Sequence, residues 1–151
     1  MRVLTLQQPF ASLVVMGVKG WETRGWKPSD AMLYILRQEG LLIHSSQKMD
    51  YTHQSLCTYP PFKTYVPDWK VLPFGAILGY VSVGRVITTD HWLQENPDYP
   101  EEYSFGNYTK GRWAWELPAA VQWELPIQAK GSLSLWEYNA PITLKAKSPV
   151  L

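Results

Sequence analysis

The sequence has little cysteine, little net charge and no long apolar run. Cys57 is the one cysteine among 151 residues, so an internal disulfide bond is excluded. No apolar stretch reaches the roughly 18 residues that a membrane span requires, and the chain does not open on a basic segment followed by an apolar one. These absences predict a reduced, cytoplasmic protein with no membrane partner, in which Cys57 is a small buried hydrophobe.

The formal net charge is +1, from 14 Lys and Arg against 13 Asp and Glu. Proteins that hold long nucleic acids through their phosphates usually carry a strong basic excess. We therefore do not expect extended non-specific binding of nucleic acid. A local group of cations can still grip one phosphate or a short single strand, and the candidates are Lys19, Arg24, Arg112 and Lys130.

Motifs for metals and common cofactors are also missing. His44, His53 and His91 are scattered, and none stands in a paired spacing such as HxxxH. The chain has no phosphate-binding Walker loop, no dinucleotide glycine motif and no G-x-S-x-G elbow. We expect neither a metal nor a cofactor.

Composition indicates one domain over residues 1–151. A hydrophobic content of 46% is enough for a core of ordinary size. The 12 prolines and 10 glycines are spread along the chain without a repeat or a low-complexity tract, so no linker is evident.

The block GVKGWETR, residues 17–24, follows a short predicted helix. Met1 to Leu6 is typical of a strand, and the apolar segment after it begins a helix of about two turns at Pro9, which Gly17 ends. Beyond Gly17 the chain must leave in an extended conformation.

In that extended segment Glu22 and Arg24 point to one face, and Lys19 lies at the corner before it. A lysine beside a carboxylate and a guanidinium can serve as a base or as an anchor for an anion. The alternative, which the pattern alone favours, is a charged hairpin that faces water.

The remaining pattern predicts an α+β fold built around a small mixed β-barrel of five or six strands with short helices outside. Glycines at positions 79 and 84 would let its longest strand bend and close. The further strands are predicted at Leu41–His44, Gly75–Thr88, Gly111–Leu117 and Val121–Gln128, and the further helices at Gln47–Thr58 and Asp90–Asn96.

Eight tryptophans and nine tyrosines are many for this length. Trp113 and Trp115 alternate with smaller or polar residues on one strand and are predicted to pack in the core. Trp21 and Trp26 flank the charged block, where they would either stack on a base or cover one end of the barrel.

The spacing GxKxxExR in this block resembles the signature of the ASCH family, the activating-signal-cointegrator homology domains, which are related in fold to PUA RNA-binding domains. The resemblance extends over nearly the whole chain, through LTLQQPFA, IHSSQK, GAILGYVSV, FGNYTKGRWAWEL and PIQAKGSLSLWEY. It implies a PUA-like barrel that binds RNA or a nucleotide in a charged cleft.

Two residues depart from the family pattern. Gln7 stands where many relatives carry arginine, and Glu22 stands where the family's N4-acetylcytidine hydrolases carry threonine. In those hydrolases a carboxylate from beyond the central strand joins the lysine, which implies a role for Glu95, Glu101 or Glu102. From the residues alone, the acidic stretch 90–102 is instead a solvated loop.

Two functional hypotheses follow, together with a weaker third one. In a binding module, Lys19 and Arg24 bind a phosphate group, while Glu22, Ser45 and Ser46 form hydrogen bonds to the polar edges of the ligand. In an enzyme, Lys19 and Glu22 are catalytic, and the substrate is an N4-acylcytidine-like nucleoside or RNA. A protein partner is the third possibility. The predicted ligand contacts are Gln8, Trp21, Arg24, Trp26, His44, Ser45, Ser46 and Arg112.

Overall fold

The computed structural model describes residues 1–142 and 146–147, and in them the chain forms eight strands and five α-helices. The strands are β1 (Arg2–Leu6), β2 (Trp21–Arg24), β3 (Leu41–Ser45), β4 (Ala76–Val81), β5 (Val86–Thr88), β6 (Trp113–Glu116), β7 (Ala120–Gln128) and β8 (Leu135–Glu137). The α-helices are α1 (Phe10–Val15), α2 (Asp30–Glu39), α3 (Tyr51–Leu56), α4 (Phe62–Tyr65) and α5 (Thr89–Glu95), and short 3-10 helices span Trp69–Val71 and Glu101–Phe105.

The strands form two sheets. One has five strands in the order β7-β4-β3-β1-β8, and the other has three in the order β2-β6-β5. Within the described residues, β1 and β3 pair in parallel, and the other strand pairs are antiparallel. Helix α1 packs against β3 and β4, and the main core lies between these elements and Trp115 of β6.

The α+β class is confirmed, but the predicted closed barrel of five or six strands is wrong. The predicted strand Gly75–Thr88 is two strands, β4 and β5, which belong to different sheets. They separate at Gly84, whose N–H donates to the carbonyl oxygen of Glu116 at 2.8 Å and so turns the chain toward β6. The two sheets therefore stay distinct and do not close into a barrel.

Several local predictions are confirmed near the charged block. The first strand is β1, and α1 follows it as a helix of less than two turns, which begins at Phe10, so that Pro9 is its N-cap residue and not its first helical residue as predicted. Gly17 has φ +78°, a conformation that glycine adopts at little cost. The extended segment predicted after Gly17 is β2.

The predicted helices after β3 and β5 exist with shifted ends. Helix α3 begins only at Tyr51, because Asp50 caps it by accepting from the Thr52 N–H. Helix α5 begins at Thr89, capped by Thr88. Strand β8 was not predicted, since three residues are too few to show a periodicity.

The packing predictions for Trp115 and Cys57 are confirmed, since both side chains are buried. Trp113 is half-buried against the same core as Trp115, and Lys27 Nζ lies 4.7 Å from its ring centroid. Across residues 1–142 and 146–147, the helices are too short or too polar to span a membrane.

Candidate functional site

The turn after α1 places the side chain of Lys19 in the protein interior. The N–H groups of Val18 and Lys19 both donate to the carbonyl oxygen of Leu13, each at 3.0 Å. The side chain of Lys19 is 1% exposed, and its Nζ donates to the carbonyl oxygen of Trp21. Lys19 is therefore a buried amine that the helix end holds in place.

Glu22 is the partner of this lysine. Its Oε1 lies 3.9 Å from Lys19 Nζ and accepts from the Thr23 N–H at 2.9 Å. Both side chains are buried. The alternative of a charged hairpin facing water is therefore wrong.

A second carboxylate, Glu102, reaches the same place from the 3-10 helix 101–105. Its Oε1 accepts from the Gly20 N–H at 2.6 Å. Burial raises the pKa of Glu102 to about 7, and the charge of Glu22 acts in the same direction, while Lys19 opposes it. A carboxyl group with such a pKa can exchange a proton near neutral pH.

Because Glu102 is largely buried, the prediction that the acidic stretch is a solvated loop is wrong for this residue. The three candidate carboxylates also have different partners. Glu101 instead accepts from the Tyr65 hydroxyl at 2.9 Å, and Glu95 pairs with Arg85 at 3.1 Å on the surface. Burial raises the pKa of Tyr108, as do the charges of Glu102 and Glu22, so the tyrosine lies in the same electrostatic environment.

The main cavity opens above Lys19 and Glu22 and has a volume of about 720 Å³. Ligand pockets in proteins commonly measure about 300–1,000 Å³. Besides these two residues the cavity is lined by Thr5, Leu6, Gln7, Phe10, Thr23, Arg24, Ser46, Asp50, His53, Ser104, Phe105, Gly106, Asn107, Arg112, Ser132, Leu133 and Ser134.

Two arginines on the cavity wall are positioned by backbone carbonyls. Arg24 Nη2 donates to the carbonyl oxygen of Thr5 at 3.0 Å. Arg112 donates through Nε to Asn107 at 3.1 Å and through Nη2 to Thr23 at 3.2 Å. Within residues 1–142 and 146–147, neither guanidinium has a carboxylate oxygen within 4.0 Å. Both positive charges therefore line the cavity without a carboxylate partner among the described residues.

Buried polar atoms without a hydrogen-bond partner in the described part of the chain also occur on this wall. They are Gln7 Oε1, Arg24 Nε and His53 Nδ1. A buried donor or acceptor left unpaired costs about 1–3 kcal/mol. These atoms are therefore available to a polar ligand.

Some of the predicted ligand contacts lie outside the main cavity. Gln8 is buried and bonds to Ser12 and to the carbonyl oxygen of Pro73. Ser45 Oγ bonds to the backbone of Ala76 within the sheet. These contacts satisfy both side chains internally.

Ser46 and Arg112 line the main cavity, as do Lys19, Glu22 and Arg24. His44 is buried and lines a smaller cavity of about 320 Å³, and burial lowers its pKa. The structure thus brings together five of the ten predicted site residues.

The two tryptophans beside the charged block do not line the main cavity. Trp21 packs edge-on against Trp92, and Trp26 packs edge-on against Trp115. The aromatic side chain beside His53 at the cavity wall is Phe10, which the sequence presents simply as part of an apolar helix. Sequence analysis also missed Asn107 and the segment 132–134, because no motif marks them.

Metal-binding clusters are absent from the part of the chain that the structure describes, where no three His, Cys, Asp or Glu side chains are grouped to hold an ion.

Comparison with known proteins gives one family and one fold. The model of the ASCH domain matches residues 4–127. The fold is similar to the crystal structure of ASCH from Zymomonas mobilis, with a TM-score of 0.57 and 15% identity over 91% of this chain and 87% of that one. A mutant of that protein, in which alanine replaces one serine, gives a TM-score of 0.56 and 14% identity over the same shares. No curated protein matches the sequence.

Proposed function

Since this chain belongs to the ASCH domain family, we propose that it binds a nucleotide or a short single-stranded RNA in the main cavity. The observation that carries the proposal is the pair of arginines, Arg24 and Arg112, which face the cavity without a carboxylate partner in the described residues. Guanidinium groups make charge-assisted hydrogen bonds to phosphate oxygens. The phosphate of the ligand is assigned to these two side chains.

The rest of the cavity suits a base and a ribose. Phe10 offers an aromatic face, and Gln7 Oε1 offers an acceptor that no described group occupies. The carboxylate of Glu22 can accept from an exocyclic amino group, and Asn107 can bond to a polar edge. Lys19, held by Glu22 and Trp21, supplies positive charge at the cavity floor.

Calorimetric titration with the four ribonucleoside 5′-monophosphates and with the matching nucleosides tests the proposal. We expect at least one monophosphate to bind, and its nucleoside to bind roughly tenfold or more weakly, because charge-assisted hydrogen bonds contribute about 1.5–3 kcal/mol. Arg112→Gln should remove most of that difference. The matched control is Arg37→Gln, which alters an exposed arginine outside the cavity.

Equal affinity for nucleosides and monophosphates would contradict the assignment of the phosphate to the arginines. Failure of all eight compounds to bind, together with failure of short RNAs, would contradict the proposed function itself.

Hydrolysis is the second candidate function, and Glu102 is the observation that favours it. A carboxyl group with a pKa of about 7, close to a buried lysine, is suited to general acid–base catalysis. In the hydrolysis of an N4-acylcytidine-like amide, a water oxygen would bond to the carbonyl carbon and the C–N bond would break. Lys19 would stabilise the charge on the carbonyl oxygen, and Glu102 would accept the proton of water and return it to the leaving amine.

Incubation with acylated cytidines and short RNAs, followed by mass spectrometry, separates the two candidates. Turnover that Glu102→Gln abolishes, without loss of substrate binding, would establish the hydrolase. Intact compounds that nevertheless bind would leave the binding module as the function. Gln is the matched variant because it keeps the acceptor that Gly20 uses and loses the titratable proton.

A further inference from the structure

A second cavity of about 320 Å³ adjoins the main cavity. The two share four lining residues, Thr5, Ser46, Ser132 and Leu133. The second cavity is completed by His44, Gln47, Lys130 and Gly131. Because the same side chains form the wall of both, the cavities are two parts of one groove.

The chemistry of the second cavity suits an anion. Lys130 is a cation on its wall, and none of its eight lining residues is a carboxylate. Ser132 and Gln47 add neutral groups that can donate hydrogen bonds. The main cavity, in contrast, contains the carboxylates of Glu22 and Asp50.

A chain of hydrogen bonds fixes the wall that carries Lys130. Trp136 Nε1 donates to Thr5 Oγ1 at 2.9 Å, Thr5 Oγ1 lies 3.1 Å from His44 Nδ1, and His44 Nε2 lies 2.7 Å from the carbonyl oxygen of Ala129. An indole N–H can only donate and a carbonyl can only accept. His44 Nε2 therefore carries a proton and donates to the Ala129 carbonyl oxygen, and the Thr5 hydroxyl, which accepts from Trp136, bonds to Nδ1.

The backbone next to Lys130 lies directly on the histidine ring. A Cβ atom at Gly131 would be 2.6 Å from His44 Cε1, which is closer than real Cβ contacts. Segment 129–131 therefore contacts His44 of β3 at two points, through the hydrogen bond to the Ala129 carbonyl oxygen and through the close packing of Gly131 on the ring. The second cavity has a preformed wall even though Lys130 itself is exposed.

We propose that the second cavity binds the phosphodiester that follows the nucleotide in the main cavity, so that the ligand is a single-stranded oligonucleotide and not a free nucleotide. This inference rests on the proposed function of the main cavity. Leu133, which is 91% exposed and lines both cavities, contacts the ribose or base at the junction. Lys130 contacts the phosphodiester oxygens.

The test compares a ribonucleoside monophosphate with a hexanucleotide of the same base, for each of the four bases, by fluorescence anisotropy and calorimetry. We expect the hexanucleotide to bind at least tenfold more tightly than the monophosphate. Lys130→Ala should weaken hexanucleotide binding roughly fivefold and reduce the slope of log affinity against log salt by about 0.7, the value for one phosphate of a single strand. Monophosphate affinity should not change.

Lys70→Ala is the matched control, because Lys70 is exposed and lines neither cavity. Hexanucleotides that bind no more tightly than monophosphates would overturn the inference and leave the main-cavity proposal intact. So would a Lys130→Ala variant that weakens both ligands equally or neither. If neither ligand binds, the proposed function fails and this inference fails with it.

Discussion

Two groups of charges in this protein have similar composition and different surroundings. The floor cluster consists of Lys19 and Glu22, which line the main cavity, and of Glu102, which accepts from the Gly20 N–H beside them. The surface cluster consists of Arg85, His91, Glu95 and Glu116, in which Arg85 and His91 both pair with Glu95, at 3.1 Å and 2.8 Å.

The two clusters differ more in burial than in the distances between their charged groups. The surface cluster has the shorter contacts, but water screens its charges, and such pairs contribute little to stability. In the floor cluster the lysine and Glu22 are 3.9 Å apart, yet desolvation raises the pKa of Glu102 to about 7. In this protein a chemically responsive carboxyl group therefore arises from loss of water and not from the number of ion pairs.

The largest effect is expected when the cation of the floor cluster is removed. Lys19→Met keeps most of the aliphatic stem and leaves Glu22 and Glu102 without their positive partner. We expect the free energy of unfolding to fall by about 3–5 kcal/mol, as for other buried pairs that lose one member. Urea denaturation at pH 7 measures it, with Lys70→Met as the exposed control. A loss no larger than that of the control would contradict the account of Lys19 as a buried cation.

The next effect is a pH dependence that Glu102 produces. Because its pKa is about 7 when folded and 4.5 as the ordinary value, the folded state holds more protons than the unfolded state between these pH values. Its contribution to stability is therefore complete below pH 4.5 and is lost as the pH rises through 7. The shift corresponds to about 3 kcal/mol.

Glu102→Gln removes this proton exchange and tests the sign. The stability of the variant relative to the natural chain should rise by about 3 kcal/mol from pH 4.5 to pH 8, measured by urea denaturation at each pH. A difference that does not depend on pH would mean that Glu102 titrates normally. A difference that falls with pH would reverse the sign and contradict its burial.

A smaller effect concerns the coupling between the two carboxylates. The negative charge of Glu22 helps to raise the pKa of Glu102. Glu22→Gln keeps an oxygen that can accept from the Thr23 N–H and removes that charge. We expect the pKa of Glu102 to fall below about 7, as measured by a carbon-13 NMR titration of its carboxyl group. An unchanged pKa would show that the two groups do not interact, and a higher pKa would contradict the direction of this coupling.

The smallest effect is expected in the surface cluster. Glu95→Ala removes the partner of both Arg85 and His91, but all three side chains are well exposed. Thermal unfolding should change no more than in Lys70→Ala, and nucleotide affinity should be unchanged because the surface cluster does not line the main cavity. A loss of stability comparable with that of Lys19→Met would contradict the claim that the surface cluster contributes little to stability.

Local features near Lys19 are predictable from the sequence because they depend on neighbouring residues. A short apolar helix ended by Gly17 determines where Lys19 lies, and alternation along β2 places Glu22 and Arg24. The α+β class follows from the same periodicities. The resemblance carried by the GxKxxExR spacing agrees with the family model over residues 4–127.

Features that depend on distant parts of the chain were not predictable in this way. Glu102 reaches Gly20 across 82 positions, and nothing in the acidic stretch distinguishes it from Glu95 or Glu101. Ser45 looks like a ligand contact at a strand end, but it bonds to Ala76 of the adjacent strand. The division of the long predicted strand at Gly84 likewise depends on its contact with Glu116.

An NMR titration of nitrogen-15-labelled protein with the monophosphate that binds best tests directly whether the main cavity is the nucleotide site. We expect the largest shifts of amide signals at Thr23, Arg24 and Asn107 on the wall of the main cavity, and we expect Arg112→Gln to reduce them. Large shifts confined to residues outside both cavities, or no shifts at millimolar nucleotide, would contradict the claim that this cavity binds nucleotides.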